Sequence, residues 1–235
     1  FADTNVIGTL NLLDIARKYW NSDFQNKCFF HVSTDEVYGS LGNKGSFTEK
    51  SAYNPRSPYS ASKAASDHFV CSYNNTFGMP TLISNCSNNF GPHQFEEKLI
   101  PLMITKIFNE EKLPIYGNGQ NVRDWLFVED HIDAIDLIFH KGTIGENYNI
   151  GGDNELKNID VINELIIRID KNLSRPKGYS KKLISFINDR MGHDYRYSIN
   201  SNKLKKQLGW APKTPFELGL DLTIDWYIKK LKKLN

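Results

Sequence analysis

Two carboxylates side by side, Asp35 and Glu36, stand in the stretch His31-Val32-Ser33-Thr34-Asp35-Glu36-Val37-Tyr38-Gly39. They follow a short apolar run over 28–32 with the character of a buried strand. Adjacent carboxylates at a strand end suit a reaction that needs an acid and a base at neighbouring carbons. Further along, Tyr59-Ser60-Ala61-Ser62-Lys63 sets a phenol and an ammonium four residues apart. On a helix that spacing brings both side chains to one face, about 5–6 Å apart at Cβ. A free phenol ionises near pH ~10. A nearby ammonium is expected to lower the Tyr59 value, so that the phenolate can take a carbinol proton as hydride leaves carbon. Oxidation at one carbon and elimination beside it is the chemistry these four residues describe. Two plainer readings compete: a chance Tyr/Lys pair on a helix, and a Thr-Asp-Glu cap on a turn.

The bulk composition excludes several other classes. The chain has 235 residues, 40% hydrophobic, enough for a sizeable core in one large domain or one domain with a lobe. Its 29 basic and 27 acidic residues are mixed along the chain and give +2. No nucleic acid or anionic membrane is called for. Cys28, Cys71 and Cys86 are too scattered for a disulfide framework or a zinc site, and the six histidines show no metal-ligand spacing. No metal is expected. Neither a signal peptide nor a long apolar run is recognised, so a cytoplasmic, reducing compartment is expected. The chain starts Phe1-Ala2-Asp3-Thr4, without Met, and reads as processed or as a fragment.

Element signals place the chemistry. A helix is expected over 4–19, capped by Asp3 or Thr4, and a strand over 28–33 too apolar to be an exposed edge. Residues 41–58 read as an ordered loop, and Pro58 as the start of a helix that stops at Gly78-Met79-Pro80. A strand follows over 81–85. Later segments read as helix 98–109, strand 113–116, strand 125–128, helix 129–139, strand 147–150, helix 158–171 and helices over 203–208 and 216–234. Helix, strand, loop, helix and strand at these lengths imply βαβ units and a parallel sheet.

With Ser33-Thr34 at a strand end and the Tyr59/Lys63 pair on the next helix, the sequence resembles the extended short-chain dehydrogenase/reductase family of nucleotide-sugar enzymes. Thr34-Asp35-Glu36 narrows the resemblance to the 4,6-dehydratases, nearest to those acting on dTDP-glucose. The resemblance implies that Tyr59 removes the O4 proton while NAD takes hydride from C4. It further implies that Glu36 takes the C5 proton, that Asp35 protonates the departing C6 oxygen, and that Thr34 bonds the 4-oxygen. Asp35 must then hold a proton that Glu36 lacks, which mutual repulsion can enforce.

Further stretches carry the likeness almost to the end of the chain. In Asn88-Asn89-Phe90-Gly91-Pro92, Asn88 is implied to face the sugar nucleotide and Asn89 the cofactor, with Lys98-Leu99 lining the diphosphate and sugar site. Leu113-Pro114-Ile115-Tyr116-Gly117 and Val122-Arg123-Asp124-Trp125 resemble the nucleotide-binding segment. Pro114, Ile115 and Tyr116 are then substrate contacts, and Arg123 pairs with the diphosphate. Asn158 and Asp189-Arg190-Met191-Gly192-His193 match further substrate contacts through Asp189, Arg190, Gly192 and His193. Met191 stands where family members usually have Pro. Thr4, with Asn5, resembles the helix start beside nicotinamide. The implied cofactor set is Thr4, Ser33, Tyr59, Lys63 and Asn89.

The implied fold is α/β: a Rossmann-type parallel sheet lacking its first βαβ units, with a smaller C-terminal α/β substrate lobe. Residues 1–90 would be the remainder of the NAD-binding domain, with later segments partly returning to it, and 91–235 mainly the sugar-nucleotide lobe. The chain is expected to hold no Gly-x-x-Gly-x-x-Gly anywhere, hence no such loop for the dinucleotide pyrophosphate and no acidic residue after it. About a quarter of a family member is expected upstream, at roughly 30 residues per βαβ unit. The chain alone is then expected to bind NAD weakly, with an apolar strand edge uncovered. The resemblance also implies a homodimer and no nucleic-acid or membrane partner. A sister epimerase or decarboxylase, or an inactive sugar-nucleotide-binding remnant, is the alternative.

Overall fold

The order of elements follows from local punctuation in the sequence. The computed structural model describes residues 1–234. A π-helical segment, Ala2–Ile7, runs directly into α1 (Gly8–Trp20), which ends at left-handed Asn21. Strand β1 (Phe29–Thr34) leads into a 3-10 turn, Asp35–Tyr38. Helix α2 (Pro58–Phe77) opens on a reciprocal Ser57/Ser60 capping box with proline in its first turn, and closes at Gly78, φ 64°. There follow β2 (Thr81–Cys86), β3 (Asn88–Phe90), α3 (Leu99–Phe108), β4 (Leu113–Tyr116), β5 (Val122–Phe127) and α4 (Val128–Lys141). The remaining elements are β6 (Asn147–Ile150), β7 (Glu155–Lys157), α5 (Asn158–Asn172), β8 (Ile184–Ile187), α6 (Asn202–Leu208) and α7 (Phe216–Leu234).

The start of the first helix differs from expectation. Neither Asp3 nor Thr4 caps it; both lie inside the π-helical segment, which has no side-chain cap. Tertiary bonds hold this wide turn, a form rare outside special sites. The Asn5 side chain donates to Ser62 Oγ at 2.9 Å, and the Asn5 carbonyl accepts from Ser66 Oγ at 2.6 Å.

The chain forms two compact units. The first comprises Phe1–Ser87, His131–Gly151 and Arg196–Ala211. Its sheet is all parallel, in the order β1-β2-β6. All six residues of β2 are buried, as a central parallel strand requires. Among the described residues β1 pairs on one side only, the uncovered strand edge expected for this chain alone, and Val32 is 43% exposed. Leu13, Val70, Tyr73, Met79 and Ile83 form one apolar core of this unit, and Val37, Tyr38, Ala64 and Ile199 a second.

The second unit comprises Asn88–Asp130, Gly152–Tyr195 and Pro212–Asn235. Strand β5 pairs parallel with β3 and antiparallel with β7, while β4 and β8 form a separate parallel pair. Helices α3, α5 and α7 supply most of one continuous core, including Ile104, Leu165, Ile166, Leu220 and Ile224. Among the described residues no helix is long and apolar enough to cross a membrane.

His131 is buried, at 7% exposure, and burial depresses its value to about 4. The unfolded chain takes up this proton near pH ~6.5, the folded one only near 4. Stability from this group is therefore complete above the higher value and lost as pH falls through the window. Wild type is expected to lose on the order of 3 kcal/mol more than His131→Gln across it. Urea denaturation at the two ends measures the difference; parallel pH dependence of the two proteins would contradict the assignment.

Candidate active site

Strands β1 and β2 run in parallel register and finish together, with Ser33 opposite Asn85 and Thr34 opposite Cys86. Carboxyl ends of parallel strands are where open α/β sheets hold ligands. Thr34 caps the turn that follows: its Oγ1 accepts from the Glu36 N–H and donates to Asp35 Oδ1, both at 3.3 Å. The cap reading and the chemical reading therefore describe one structure. The turn presents two unlike carboxylates, Asp35 buried at 2% exposure and Glu36 half-buried. Gly39 ends it at φ 90°, where a Cβ would lie 2.4 Å from the Asn54 carbonyl oxygen.

Helix α2 delivers Tyr59 and Lys63, both half-buried, on one face. Their electrostatics differ from expectation. Burial first, then the charge of Glu36, with lesser contributions from Cys86 and Asp35, pushes the Tyr59 phenol up to about 12. Lys63 does not lower it. Its Nζ donates to the Val32 carbonyl at 2.8 Å, and burial depresses its own value, against the charges of Asp67 and Cys86. The same field brings Tyr59 together with Asp35 and Glu36, so phenol, ammonium and both carboxylates share one site. Among the described residues the Tyr59 hydroxyl has no hydrogen-bond partner, and its ring meets Phe1 edge-on at 5.6 Å.

A third member of the α2 face was missed. Asp67, four residues beyond Lys63, is 1% exposed. Its Oδ2 accepts from Ser33 Oγ and Tyr53 Oη, both at 2.8 Å, and from Asn85 Nδ2 at 3.2 Å. His31 Nε2 lies 3.2 Å from its Oδ1. Burial and the Asp67 charge push the Tyr53 phenol far above its ordinary value. The i, i+4, i+8 spacing of Tyr59, Lys63 and Asp67 was the available signal. Of the expected cofactor residues in this unit, Ser33 is therefore spent on Asp67, while Thr4 is exposed in the π-helical segment.

The glycine spacing also needs correction. Gly39, Gly42 and Gly45 do follow the Gly-x-x-Gly-x-x-Gly pattern. They come after the 3-10 turn, and the next helix starts only at Pro58. Arg196 Nη1 donates to the carbonyls of Gly42 at 3.2 Å and Gly45 at 3.0 Å. A phosphate cradle offers N–H groups to an anion; this loop offers carbonyls to a cation, so it is not one.

In the second unit, Tyr116, Asp189, Arg190 and His193 come together. His193 Nδ1 lies 2.6 Å from Asp189 Oδ1, the Arg190 guanidinium sits 5.1 Å over the Tyr116 ring, and Tyr116 meets His193 edge-on at 6.4 Å. The bond to His193 holds Asp189 below its usual range, while burial lowers His193. Gly192 and Met191 are exposed at the loop tip. Arg123 is buried and donates to the carbonyls of Val122 at 2.7 Å, Asp194 at 2.9 Å and Tyr195 at 3.3 Å. Arg123 thus ties down the backbone following His193. Ile115 is likewise committed to the core, between half-buried Pro114 and exposed Tyr116. Asn158 opens α5, its N–H bonded to the Asn121 carbonyl at 3.0 Å. Asn88 and Asn89 lie on β3 opposite Trp125 and Leu126, and Lys98 and Leu99 sit at the start of α3.

Residues 1–223 match the family described as GDP-mannose 4,6 dehydratase. The chain belongs to this family. Within it, the probable dTDP-glucose 4,6-dehydratase of Sinorhizobium fredii is 53% identical over 97% of the chain, and the chain spans 66% of that relative's length. The dTDP-glucose 4,6-dehydratase of Salmonella typhimurium is 45% identical, with 100% of the chain and 68% of the relative covered. About a third of such a relative lies outside the match, more than the quarter expected. The fold is shared with a Bacillus anthracis dTDP-glucose 4,6-dehydratase solved with NAD, at TM-score 0.88, 48% identity and coverage of 99% and 70% of the two chains. A Thermotoga maritima UDP-glucose 4-epimerase has the same fold at TM-score 0.85 and 26% identity, covering 98% of this chain and 71% of its own. The chain is accordingly a Rossmann-type α/β protein of this dehydratase family.

Two predictions follow the local geometry. With 13C at tyrosine Cζ, and Tyr59→Phe to identify the signal, Tyr59 is expected to titrate at about 12 in the chain. A midpoint below about 10 would show that Lys63 governs it after all. Gly39→Ala is expected to cost on the order of 1–3 kcal/mol, because its backbone is left-handed and its Cβ meets a carbonyl. An unchanged urea midpoint would mean that the turn relaxes without strain.

Proposed function

We propose that the full-length protein is an NAD-dependent dTDP-glucose 4,6-dehydratase, a hydro-lyase giving the 4-keto-6-deoxy sugar. One observation carries this reading: the Thr34-capped turn sets two carboxylates of unlike environment in the field of the Tyr59 phenol. A 4-epimerase needs the phenol but has no work for an adjacent acid and base. Naming of close relatives as dTDP-glucose 4,6-dehydratases supports the substrate.

In this reading Tyr59 receives the O4 proton, with Thr34 bonding the 4-oxygen. A ketone at C4 acidifies C5, and half-buried Glu36 takes that proton. Asp35, shorter and buried beside the Thr34 hydroxyl, delivers a proton to the C6 oxygen so that water departs. Unlike surroundings for two neighbouring carboxyls are the usual way to divide acid from base. NAD, when bound, would supply the hydride acceptor and donor that oxidation at C4 and reduction at C6 require. The donor set fits the polar half of such a cofactor: the Lys63 ammonium has three N–H donors and one carbonyl partner, and the Tyr59 hydroxyl is unengaged among the described residues. Tyr59 and Lys63 would hold it in the first unit. Burial raises Tyr59, and a cation held beside it would bring the phenol down toward working pH. In the second unit, Tyr116, Arg190 and His193 would receive the nucleotide.

A cytoplasmic homodimer completes the reading, supported by three free cysteines and by the family resemblance. Sedimentation of the full-length protein tests the dimer.

Given dTDP-glucose, the full-length enzyme is expected to form a sugar that absorbs in alkali. A 4-epimer as the product would overturn the proposal in favour of a sister activity. Glu36→Gln should still oxidise C4 yet fail to exchange the C5 hydrogen with deuterated solvent, losing about 10²–10⁴-fold in turnover. Rapid dehydration by this variant would remove Glu36 from the base role.

A further inference from the structure

Asp67 is a buried carboxylate that the acid–base scheme does not use. An ionised carboxylate out of water costs several kcal/mol unless its oxygens are satisfied, and removing one partner is strongly destabilising. Here one oxygen, Oδ2, is satisfied by groups from three separate segments: Ser33 at the end of β1, Asn85 at the end of β2, and Tyr53 in the loop before α2. His31, on β1, faces its other oxygen at 3.2 Å. The segments it gathers are the ones that carry the proposed chemistry.

Two routes lead from Asp67 to the reacting groups. The first is mechanical. The amide of Asn85 that donates to Asp67 also lies 3.2 Å from the Thr34 carbonyl. Thr34 in turn caps the Asp35–Glu36 turn through Oγ1. The carboxylate on α2 therefore sets where the acid–base turn sits against the helix that carries Tyr59 and Lys63. The second route is electrostatic. Lys63 lies one helical turn before Asp67. The charged group acting on it is Asp67 on its own helix, which favours the ammonium, with the titratable Cys86 thiol on β2 a lesser influence, while β1 contributes the accepting carbonyl of Val32.

We propose that Asp67 is a positioning residue, which registers the Thr34–Glu36 turn against Tyr59 and sets its carboxylate one helical turn from the Lys63 ammonium. The assignment rests on the dehydratase reading for its kinetic consequences but not for its effect on Lys63. Asp67 touches no reacting atom. A residue that only glued α2 to the sheet would account for stability alone, and the two roles separate by experiment.

Asp67→Asn keeps the shape and removes the charge. In the full-length enzyme kcat should fall on the order of tenfold to a hundredfold, with KM for the sugar nucleotide within about twofold, as a misplaced catalytic group produces. In 15N-lysine-labelled protein the Lys63 midpoint should move down relative to wild type. Asp170→Asn serves as the control. Asp170 is equally buried but lies in the second unit, where Ser180 donates to it through Oγ at 2.5 Å and N–H at 3.1 Å. It should lose comparable stability and leave both readouts unmoved. If Asp67→Asn does not fold, Tyr53→Phe removes one donor and spares the charge; kcat should then fall several-fold with KM unchanged. A folded Asp67→Asn whose Lys63 midpoint stays in place, or unchanged kcat in the folded variants, overturns the proposal. If the wild-type enzyme does not turn over dTDP-glucose, the dehydratase reading fails, and the lysine titration still decides the role of Asp67.

Discussion

The hydrogen-bonded burial of the Asp67 carboxylate is the interaction on which the geometry of the first unit turns. A helix packed on a sheet by apolar contacts alone can slide or rotate by a fraction of a turn at small cost, because such contacts are not directional. A buried charge cannot, since every displacement breaks a bond to a group already out of water. With Ser33, Tyr53 and Asn85 all pointing at one oxygen, α2 has one acceptable depth and rotation over the ends of β1 and β2. Tyr59 and Lys63 inherit their places from that constraint, being on the same face of the same rigid helix.

The strand ends contribute the complementary half. Parallel pairing stops at Thr34 opposite Cys86, and the chain must leave the sheet there with its backbone groups satisfied. Thr34 solves this by capping, and the cap dictates the direction in which the next two side chains emerge. Gly39 then lets the chain turn away at a backbone angle that few other residues adopt. The carboxylate pair is thus not placed by a preference of its own. It is placed by the residue before it and by the glycine after it.

Much of this was legible in the chain. Helix α2 announced both ends, through Ser57-Pro58 and Gly78, and the Tyr59/Lys63 pair lay in register on it. The apolar runs of β1 and β2 located the site at their ends. What escaped notice has a common cause in length and distance. Strands β3 and β7 are three residues each, too short to display a period of two. The π-helical start depends on Ser62 and Ser66, nearly sixty residues away. The Tyr59 value depends on burial and on Glu36 and Asp35, so helical spacing to Lys63 misjudged its sign. Arg123 is expected to meet phosphate because a guanidinium suits planar anions; its bonds to the carbonyls of residues 194 and 195 are ones that no local pattern could have named.

Arg123 and Asp67 show how one physical rule yields two different outcomes. Each is a charged side chain taken almost wholly from water, and each makes several hydrogen bonds. Arg123 spends its donors on main chain, and so fixes the path of the loop carrying Asp189, Arg190 and His193. Asp67 spends its acceptors on side chains and fixes a helix. In both units less buried groups, Arg190 in one, Tyr59 and Glu36 in the other, adjoin a buried charge. The residues best suited to chemistry by type are therefore not always the ones that determine its geometry, and a buried charge adjoining a half-exposed cluster is the more reliable guide to where a site has been built.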